Sequence, residues 1–429
     1  MDSTREPARG RDARDAKAGK ETVRRHNLSL VLRAVHEEGE ATRAAVAARV
    51  GLTRAAVSSL VEQLLAGGFL TERGKTFSGH AGRPGTALRV ADTGPAGLGV
   101  EINVDYVSAC VVDLAGADRV RLTEEVDNQD ARPEEVLARA ARIAARALDA
   151  AAGKGLDAAG AGLALPGLVS GGTVRQAPNL GWNRVDAGRL FAEALRAAAP
   201  GRGGPAVTVD NEANAAALAE LWFGGPADAP RLRGFVYLTG EIGVGGALVL
   251  DGALLRGAHG FAGEIGHLVV DPDGPRCRCG SHGCLEQYAG QAALLRGAGV
   301  AESAGARGVA ELKARARRGE PRAVAALERA GRMLGLAVSA AVNLLDPDAV
   351  VLGGVFRPLM EWLGPAAERE LAARVVSGLW AVGSGRLRAS SSSGDAARGA
   401  AALVVRGVLA DPAGHAPPPA PGARVVSSG

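Results

Sequence analysis

Three of the chain's four cysteines fall within one short segment, and this cluster constrains the fold more than any other feature. Residues 262–290 contain Cys277, Cys279 and Cys284, with His267 ten positions before the first of them. Thiolates and an imidazole are ligands that tetrahedral Zn²⁺ prefers, and a site closed by four protein groups has no open position for catalysis. The segment therefore predicts a structural zinc site formed by these four residues, rather than thiols that lie near one another by chance.

Two carboxylates, Glu264 and Glu286, are interleaved with these ligands, and their spacing lets both face one cavity. Because three of the four cysteines are assigned to metal, no disulfide framework is implied and a reducing compartment fits the chain. No run of residues approaches 18 apolar positions, and the charged N-terminus lacks an apolar core. A cytoplasmic protein with no membrane partner is therefore expected.

Positive charge is concentrated at the N-terminal end of the chain. Residues 1–90 carry 16 Lys and Arg against 10 Asp and Glu, whereas residues 91–429 carry 34 against 36. Such an excess is expected of a nucleic-acid-binding segment joined to a neutral domain. A solvated charged tail gives the same count, so charge alone does not separate the two interpretations.

Three consecutive segments near the N-terminal end show apolar residues at helical spacing. The second begins at Thr42 and breaks at Gly51, and the third begins at Thr53, a residue type that favours helix N-termini. Two helices joined by a short glycine-containing turn have the spacing of a helix-turn-helix. The strand, turn and strand predicted over residues 69–90 complete the pattern of a winged helix, which is expected to occupy residues 22–91.

The third helix is the candidate recognition helix of this unit. Its first turns offer small and basic side chains, which suit insertion into a major groove. Arg83 stands at the tip of the predicted wing, where a minor groove or a phosphate can receive its guanidinium. The predicted DNA-binding residues are Thr53, Arg54, Ser58, Ser59 and Arg83. A three-helix interaction domain without DNA contact is the alternative.

The remaining chain divides into a long α/β region and two tails. Residues 1–21 alternate charges with Ala, Gly and Pro, show no apolar period and are expected to be disordered. Over residues 96–410, apolar strands alternate with Ala-rich helices, which indicates α/β architecture and begins like an actin-like ATPase half-domain. Residues 411–429 are Pro-rich and are expected to be disordered.

Five short motifs of this α/β region occur together in a known family. They are LPG at 165–167, APNLGW at 177–182, DNEANAAALAE at 210–220, GEIGH at 263–267 and CRCGSHGCLEQYA at 277–289. With them the chain resembles the ROK family over residues 25–410. This family contains bacterial sugar kinases, and sugar-responsive repressors that carry an added N-terminal winged helix. The resemblance implies two actin-like lobes, a sugar in the cleft between them, and a homodimer or a dimer of dimers.

The resemblance also assigns roles to individual residues. The family's zinc ligands fall on the four residues of the cysteine cluster. Its sugar-contacting positions fall on Asn179, Asn211, Glu212, Glu264, His267 and Glu286. Sugar hydroxyls both donate and accept hydrogen bonds, so carboxylates and amides suit them. Zinc on one ring nitrogen of His267 leaves the other for a sugar hydroxyl. Ordinary solvated carboxylates are the alternative.

Three departures from the family's kinase pattern argue against phosphoryl transfer. Glu212 replaces the aspartate base of the kinases, and its extra methylene moves the carboxylate by about 1 to 1.5 Å, where ~1 Å can cost ~100-fold in rate. The first phosphate loop contains Glu101, Asn103 and Asp105, and Asn hinders the close backbone approach that glycine permits. Glu241 adds a negative charge at the second phosphate turn. Glu212 is therefore a degenerate catalytic position, and ATP is not expected as a cofactor.

The sequence thus predicts a transcriptional regulator, acting as a repressor, that senses a sugar in a degenerate kinase cleft. Its dimer is expected to bind a palindromic operator, and zinc is the expected structural cofactor. A sugar that releases DNA and a sugar that strengthens DNA binding are both compatible with the sequence. The main rival is an active ATP-dependent sugar kinase with a regulatory N-terminal domain. A third hypothesis is a DNA-bound scaffold whose cleft binds nothing.

Overall fold

The computed structural model of the chain describes residues 9–76, 85–202, 204–224, 232–391 and 396–415. The α-helices of these residues are α1 Arg9–Glu38, α2 Arg43–Val50, α3 Arg54–Ala66, α4 Pro133–Ala152, α5 Ala187–Ala198, α6 Glu212–Phe223, α7 Glu286–Ala289, α8 Gln291–Ala298, α9 Gly305–Arg317, α10 Pro321–Leu345, α11 Phe356–Arg374 and α12 Ala396–Ala410. The β-strands are β1 Ala41–Thr42, β2 Leu70–Thr76, β3 Gly85–Val90, β4 Gly94–Ile102, β5 Tyr106–Asp113, β6 Asp118–Glu125, β7 Leu156–Leu165, β8 Leu168–Ser170, β9 Thr173–Ala177, β10 Trp182–Val185, β11 Val207–Asn211, β12 Phe235–Gly240, β13 Val244–Leu250, β14 Ala253–Leu254, β15 Ala349–Gly354 and β16 Leu387–Ala389.

The N-terminal unit contains three helices and a small antiparallel sheet, in the order that the sequence predicts. Thr42 caps α2 and Thr53 caps α3, because each hydroxyl accepts a 3.2 Å hydrogen bond from the backbone N–H three residues further on. Gly51 ends α2 with φ 70°, in the left-handed region that favours glycine. The sheet has the order β1-β3-β2.

Both predicted tails are shorter than expected from the sequence. Helix α1 begins at Arg9, so the prediction of disorder over residues 1–21 is wrong from that residue onward. Arg, Ala, Lys and Glu are strong helix formers, and extending a helix already nucleated by a packed segment costs little. At the other end, Pro412–His415 form a 3₁₀ turn, and Asp411 pairs with Arg25 of α1. Residues 1–8 and 416–429 lie outside the described residues.

The rest of the chain folds into two lobes whose central sheets share one strand order. In lobe I the order is β6-β5-β4-β7-β11, and in lobe II it is β14-β13-β12-β15-β16. In both sheets the first three strands pair antiparallel and the last two join in parallel. This duplication confirms the predicted two-lobed α/β architecture. A separate three-stranded sheet, β10-β9-β8, borders the cleft on the side of lobe I.

Helices α6 and α12 lie between the two sheets and pack closely against one another. Close packing requires glycine at the contacts, because a Cβ at Gly399 would collide with the carbonyl oxygen of Ala215. A Cβ at Gly99 of β4 would likewise collide with the carbonyl oxygen of Ala397. Helix α6 begins at the cleft with Glu212, so this arrangement places the start of the helix at the candidate site.

The N-terminal unit shares a hydrophobic core with the C-terminal end of α12. One buried cluster joins Leu32 and Val35 of α1 to Val405 and Val408 of α12. The hydroxyl of Ser29 donates a 2.9 Å hydrogen bond to the carbonyl oxygen of Leu409. The N-terminal unit is therefore fixed to lobe I by packing as well as by the connection through residues 91–95.

Among the described residues, no single helix combines the length and apolar character needed to cross a membrane. Helices α2 and α3 meet that test only as a pair joined across a bend of 114°.

Candidate functional site

The structure brings His267, Cys277, Cys279 and Cys284 into one cluster. Their ligand atoms all lie within 4.8 Å of one another. The Sγ atoms of Cys279 and Cys284 are 3.7 Å apart, and Sγ of Cys277 lies 3.8 Å from Nδ1 of His267. Metal–sulfur bonds of about 2.3 Å in a tetrahedral site put two sulfur atoms about 3.8 Å apart, whereas a disulfide requires about 2.05 Å. The four side chains therefore fit a tetrahedral metal ion.

Local backbone shape holds this cluster together. Two isolated β-bridges, Val269 to Cys284 and Arg276 to His282, fold the segment back on itself. Gly283 has φ 64°, and a Cβ there would collide with neighbouring backbone. Only glycine satisfies both conditions, so this residue positions the last cysteine of the cluster.

The thiols of the cluster differ in acidity. Burial raises the pKa of the Cys284 thiol to about 12 and also raises the pKa of Cys277. A hydrogen bond from the backbone of Ser281 lowers the pKa of Cys279. The thiolate form is the metal ligand, so the charge of a bound cation would offset the cost of ionising the two buried thiols.

A cavity of about 240 Å³ opens beside the cluster, between the two lobes. Its volume lies just below the ~300–1,000 Å³ of pockets for drug-sized ligands, as expected for a single small polar molecule. All six residues predicted to contact a sugar line it, together with the Gly167 loop: Asn179, Asn211, Glu212, Glu264, His267 and Glu286. Because Nδ1 of His267 faces Cys277, the imidazole connects the metal cluster to the cavity.

Glu212 is the least satisfied polar group of this cavity. Its Oε2 is buried and has no hydrogen-bond partner among the described residues. Burial raises the pKa of Glu212 to about 7, and the nearby charge of Glu264 contributes to the rise. A buried carboxyl oxygen without a partner is costly, so a ligand hydroxyl that reaches this oxygen gains a hydrogen bond that the protein does not supply.

The other two carboxylates line the part of the cavity nearest the metal cluster. Desolvation in the cleft raises the pKa of Glu264, with His267 opposing the rise and Glu286 adding to it. Oε2 of Glu286 accepts a 3.3 Å hydrogen bond from the backbone N–H of Val244. Together with Glu212, these groups form a set of acceptors suited to a polyhydroxylated ligand.

The two asparagines of the cavity are partly occupied by the protein itself. Oδ1 of Asn211 accepts from the backbone N–H groups of Ala213 and Asn214, and its Nδ2 donates to the carbonyl oxygen of Gly167 at 2.8 Å. Asn211 therefore caps α6 and holds the Gly167 loop, with one amide hydrogen left for a ligand. Oδ1 of Asn179 accepts a 3.2 Å hydrogen bond from Arg278.

The side of the cleft that the resemblance assigns to phosphate is filled by an internal network. Buried Glu101 accepts hydrogen bonds from the hydroxyl of Tyr106 at 2.5 Å and from the backbone N–H of Ala397 at 3.2 Å. Nδ2 of Asn103 donates to the Tyr106 hydroxyl at 3.3 Å, and its Oδ1 accepts from the backbone N–H of Val104 at 2.7 Å. Groups that would face a phosphate are thus engaged with one another.

Glu241 adds a further carboxyl to this side. Burial raises its pKa well above the ordinary value, and the charges of Glu212, Glu101 and Asp105 raise it further. Burial also raises the pKa of Asp105. Any of these carboxyls that is ionised would repel a polyanion such as ATP.

Of the predicted DNA-binding residues, Arg54, Ser58 and Ser59 lie on the first half of α3, and Thr53 directly precedes that helix. Arg54 and Ser59 are exposed, and Ser58 is half-buried. Thr53 is exposed, but its hydroxyl is engaged in capping the helix. Arg54 forms no ion pair or hydrogen bond with the residues that the structure describes, so its guanidinium is available for a partner. Arg83 lies between β2 and β3, outside the described residues.

Sequence reasoning missed three residues that shape the site. Tyr106 is the donor to Glu101. Arg278, which stands between two ligand cysteines, lines the cavity and contacts Asn179. Arg256 binds buried Asp210 through two hydrogen bonds of 3.0 and 2.6 Å. Only Arg278 carried a signal in the sequence, since its neighbours Cys277 and Cys279 fix its position.

Comparison with known proteins agrees with the fold and with this site. A sequence profile of the ROK family matches residues 97–406, and the chain therefore belongs to the ROK family. A protein described as a putative xylose repressor, from Caldicellulosiruptor sp. (strain Rt8B.4), is 31% identical over 346 residues, which cover 77% of this chain and 83% of that relative.

The fold of this chain is similar to that of one solved regulator and one solved kinase of the family. A ROK family transcriptional regulator, described as a homolog of the E. coli MLC protein, superposes with a TM-score of 0.73 at 25% identity, covering 91% of this chain and 97% of its own. A ROK family glucokinase from Streptomyces griseus, in complex with glucose and AMPPNP, gives a TM-score of 0.58 at 26% identity, covering 72% and 98%. The regulator thus matches more of this chain than the glucokinase does.

Proposed function

We propose that this protein is a sugar-responsive transcriptional repressor whose kinase-like cleft acts as the sugar sensor. The observation that carries the proposal is the contrast between the two sides of the cleft. On one side, Glu212 presents a buried oxygen without a partner to a cavity lined by acceptors. On the other side, Glu101 and Tyr106 are hydrogen-bonded to one another. The carboxyls of Glu101 and Glu241 lie close together there, where a kinase binds phosphate.

The N-terminal unit is the proposed winged helix-turn-helix, with α3 as its recognition helix. Exposed Arg54 and Ser59 are suited to phosphate and base contacts. A homodimer, or a dimer of dimers, would present two such helices to the half-sites of a palindromic operator. The relative described as a putative xylose repressor and the regulator that covers 91% of the chain both support this assignment.

Zinc is the proposed ion of the His267, Cys277, Cys279 and Cys284 cluster. When bound, it would supply a fixed positive charge that stabilises the thiolates. The chain's own contribution is to aim Nδ1 of His267 at the cluster while the imidazole lines the sugar cavity. The ion would therefore hold a ligand-binding side chain in place, with no part in a reaction.

Helix α6 offers a physical route from the sugar cavity to the DNA-binding unit. Its first residue, Glu212, lines the cavity, and Trp222 near its last turn packs against His36 of α1. A sugar that binds one arrangement of the lobes ~100-fold better than another shifts the equilibrium by about 2.7 kcal/mol. A shift of that size, carried by α6 to α1, changes how the two recognition helices of a dimer are spaced.

The test uses the purified full-length protein. Fragments of genomic DNA that it binds are selected and sequenced, and the affinity for a recovered site is measured by fluorescence anisotropy with and without each of a panel of pentoses and hexoses. We expect one sugar to change the operator Kd by about 10- to 100-fold, within the usual range of allosteric coupling. Failure to select any specific DNA would contradict the repressor function, and a panel in which no sugar changes the Kd would contradict the sensor.

A further inference from the structure

A second groove adjoins the sugar cavity on the side of lobe I. It lies between the β8–β10 sheet and the loop formed by residues 256–261, and has a volume of about 840 Å³. Leu168 and Gln176 line both the groove and the sugar cavity, so the two spaces are neighbours that share one wall. A group in the groove therefore lies close to a ligand held in the cavity.

The lining of this groove is basic. It contains Arg175, Arg184, Arg256 and His259, and none of its lining residues is acidic. The exposed side chains of Arg175 and Arg184 form no ion pair or hydrogen bond with the part of the chain that the structure describes. Their guanidinium groups are therefore available to a ligand in the groove.

The two unpaired arginines lie at the same level of two neighbouring strands. Asn183 of β10 pairs with Gln176 of β9, and Val185 pairs with Val174, so Arg184 and Arg175 lie between these two pairs at the same level of the sheet. Two positive charges at the same level of the sheet favour the approach of an anion.

The backbone conformation at Arg184 is a second, independent observation. Its φ is 53°, in the left-handed region that residues other than glycine rarely adopt. Backbone strain of this kind persists where the surrounding structure imposes it, and it is concentrated at ligand-binding positions. Here the strained residue carries a guanidinium into the groove.

Arg256 connects the groove to the sugar cavity. Its guanidinium is held by buried Asp210 through two hydrogen bonds, yet almost half of the side chain stays exposed. Asp210 directly precedes Asn211, which lines the cavity and begins α6. A group bound at Arg256 would thus interact, through Asp210, with the same chain segment that lines the sugar cavity.

We propose that this basic groove binds a negatively charged substituent of the ligand, so that the effector is a sugar phosphate or a sugar acid. This inference rests on the proposed sugar-sensing function and specifies its ligand class. It also agrees with the charges of the rest of the cleft. The cavity itself is lined by the carboxyls of Glu212, Glu264 and Glu286, so an anionic substituent is favoured toward Arg175 and Arg184.

The experiment is isothermal titration of the full-length, metal-loaded protein with matched sugars. The neutral probes are glucose, xylose and the disaccharide cellobiose; the anionic probes are glucose 1-phosphate, glucose 6-phosphate and glucuronate; inorganic phosphate is titrated alone. We expect at least one anionic sugar to bind about tenfold more tightly than its neutral parent, as charge-assisted hydrogen bonds to two arginines predict. The gain should shrink at high salt, because the groove is open to solvent.

Two substitutions test the groove itself. Arg175→Ala removes one charge, and Arg184→Gly removes the other while fitting the left-handed backbone. Each should abolish most of the gain for the anionic sugar and leave the Kd of the neutral parent unchanged. Arg142→Ala, at an exposed arginine on α4 outside the groove, is the matched control and should leave the gain intact.

Several results would overturn the inference. The first is that no anionic sugar binds more tightly than its neutral parent, and the second is that the gain in affinity survives both substitutions. The third is that cellobiose gains as much affinity over glucose as the anionic sugar does. The fourth is that inorganic phosphate alone binds as tightly as the anionic sugar, with the same dependence on Arg175. A neutral sugar that still changes operator affinity in such a case would leave the proposed function standing. Absence of binding by every sugar would instead remove the proposed function.

Discussion

The indole ring of Trp222 packs against the imidazole of His36, with ring centroids 6.3 Å apart and planes inclined by 50°. Trp222 lies on α6, the helix that begins in the sugar cavity, and His36 lies on α1 of the N-terminal unit. Arg406 of α12 covers the same indole ring at 5.7 Å from its centroid. Helices α6, α1 and α12 therefore meet at one side chain.

Replacing Trp222 with leucine should uncouple sugar binding from DNA binding. Leucine keeps an apolar contact but loses the aromatic area that joins α6 to α1. We expect operator affinity and sugar affinity, measured separately, to change by less than about threefold, while the effect of sugar on the operator Kd falls toward one. Trp362→Leu on α11, partly buried in the core of lobe II, is the control and should keep the response. An undiminished response in W222L would exclude this contact as the route.

Arg54→Ala should weaken operator binding without destabilising the protein. Arg54 is exposed at the start of α3 and forms no ion pair or hydrogen bond within the described chain. Loss of a DNA contact typically costs about 1–3 kcal/mol, whereas the melting temperature should stay unchanged. Arg317→Ala on α9, an exposed arginine far from α3 in sequence, serves as the control. Equal affinity of R54A and the parent protein would refute α3 as the recognition helix.

Cys279→Ser should reduce both metal content and sugar affinity. Cys279 is the exposed member of the metal cluster, so its loss opens the site without creating a cavity in the core. We expect the purified parent protein to contain one zinc per chain, and C279S to contain much less. Sugar affinity should fall about 10- to 100-fold, since His267 loses the partner that orients it. Cys110→Ala removes the cysteine outside the cluster and should retain the metal; full zinc occupancy in C279S would contradict the assignment.

Glu212→Gln should alter the pH dependence of stability in the sugar-free protein. Because the folded pKa of Glu212 is about 7, above its ordinary value, the stability linked to its proton is fully present below about pH 4.5 and is lost as pH rises through 7. Glutamine does not titrate, so the stability of E212Q relative to the parent protein should rise between pH 5 and pH 8, by at most ~3 kcal/mol in the free energy of unfolding. The melting temperatures of the two proteins, measured across this pH range, report the difference. Glu193→Gln, on the surface of α5, should show no such trend. A difference independent of pH would exclude a raised pKa at Glu212.

The protein should not phosphorylate sugars at an enzymatic rate. In a coupled assay of ATP consumption with hexoses and pentoses, we expect turnover far below the ~10 per second of an ordinary enzyme. Glu212→Asp restores the residue type of the kinases but should not restore activity, because Glu101, Asn103 and Glu241 still occupy the phosphate side. Turnover near 10 per second in the parent protein would establish the rival kinase function.

The parts of the site that the sequence predicted depend on residues that are close along the chain. His267, Cys277, Cys279 and Cys284 lie within 18 residues, so their spacing alone brings them within reach of one ion. The capping roles of Thr42 and Thr53 are local for the same reason. The resemblance to the ROK family, carried by five short motifs, is confirmed by the family profile.

The predictions that failed depend on what a segment packs against. Residues from Arg9 to residue 21 are helical because packing nucleates α1 further along, which a search for apolar periodicity within those residues does not detect. Pro412–His415 are ordered against α1, whose Arg25 is 386 residues away from Asp411. At the C-terminal end, proline content was outweighed by this distant partner.

The sequence by itself determined which residues form the cysteine cluster, which residues line the cavity and where the chain departs from the kinase pattern, because each depends on local spacing or on a short motif. Only the tertiary structure decided that α12 shares a core with α1, that Tyr106 fills the phosphate side through Glu101, and that Arg175 and Arg184 lie at the same level of two strands. These relationships join residues through packing and strand pairing, and the free energy of such contacts depends on distances in space that no pattern along the chain records.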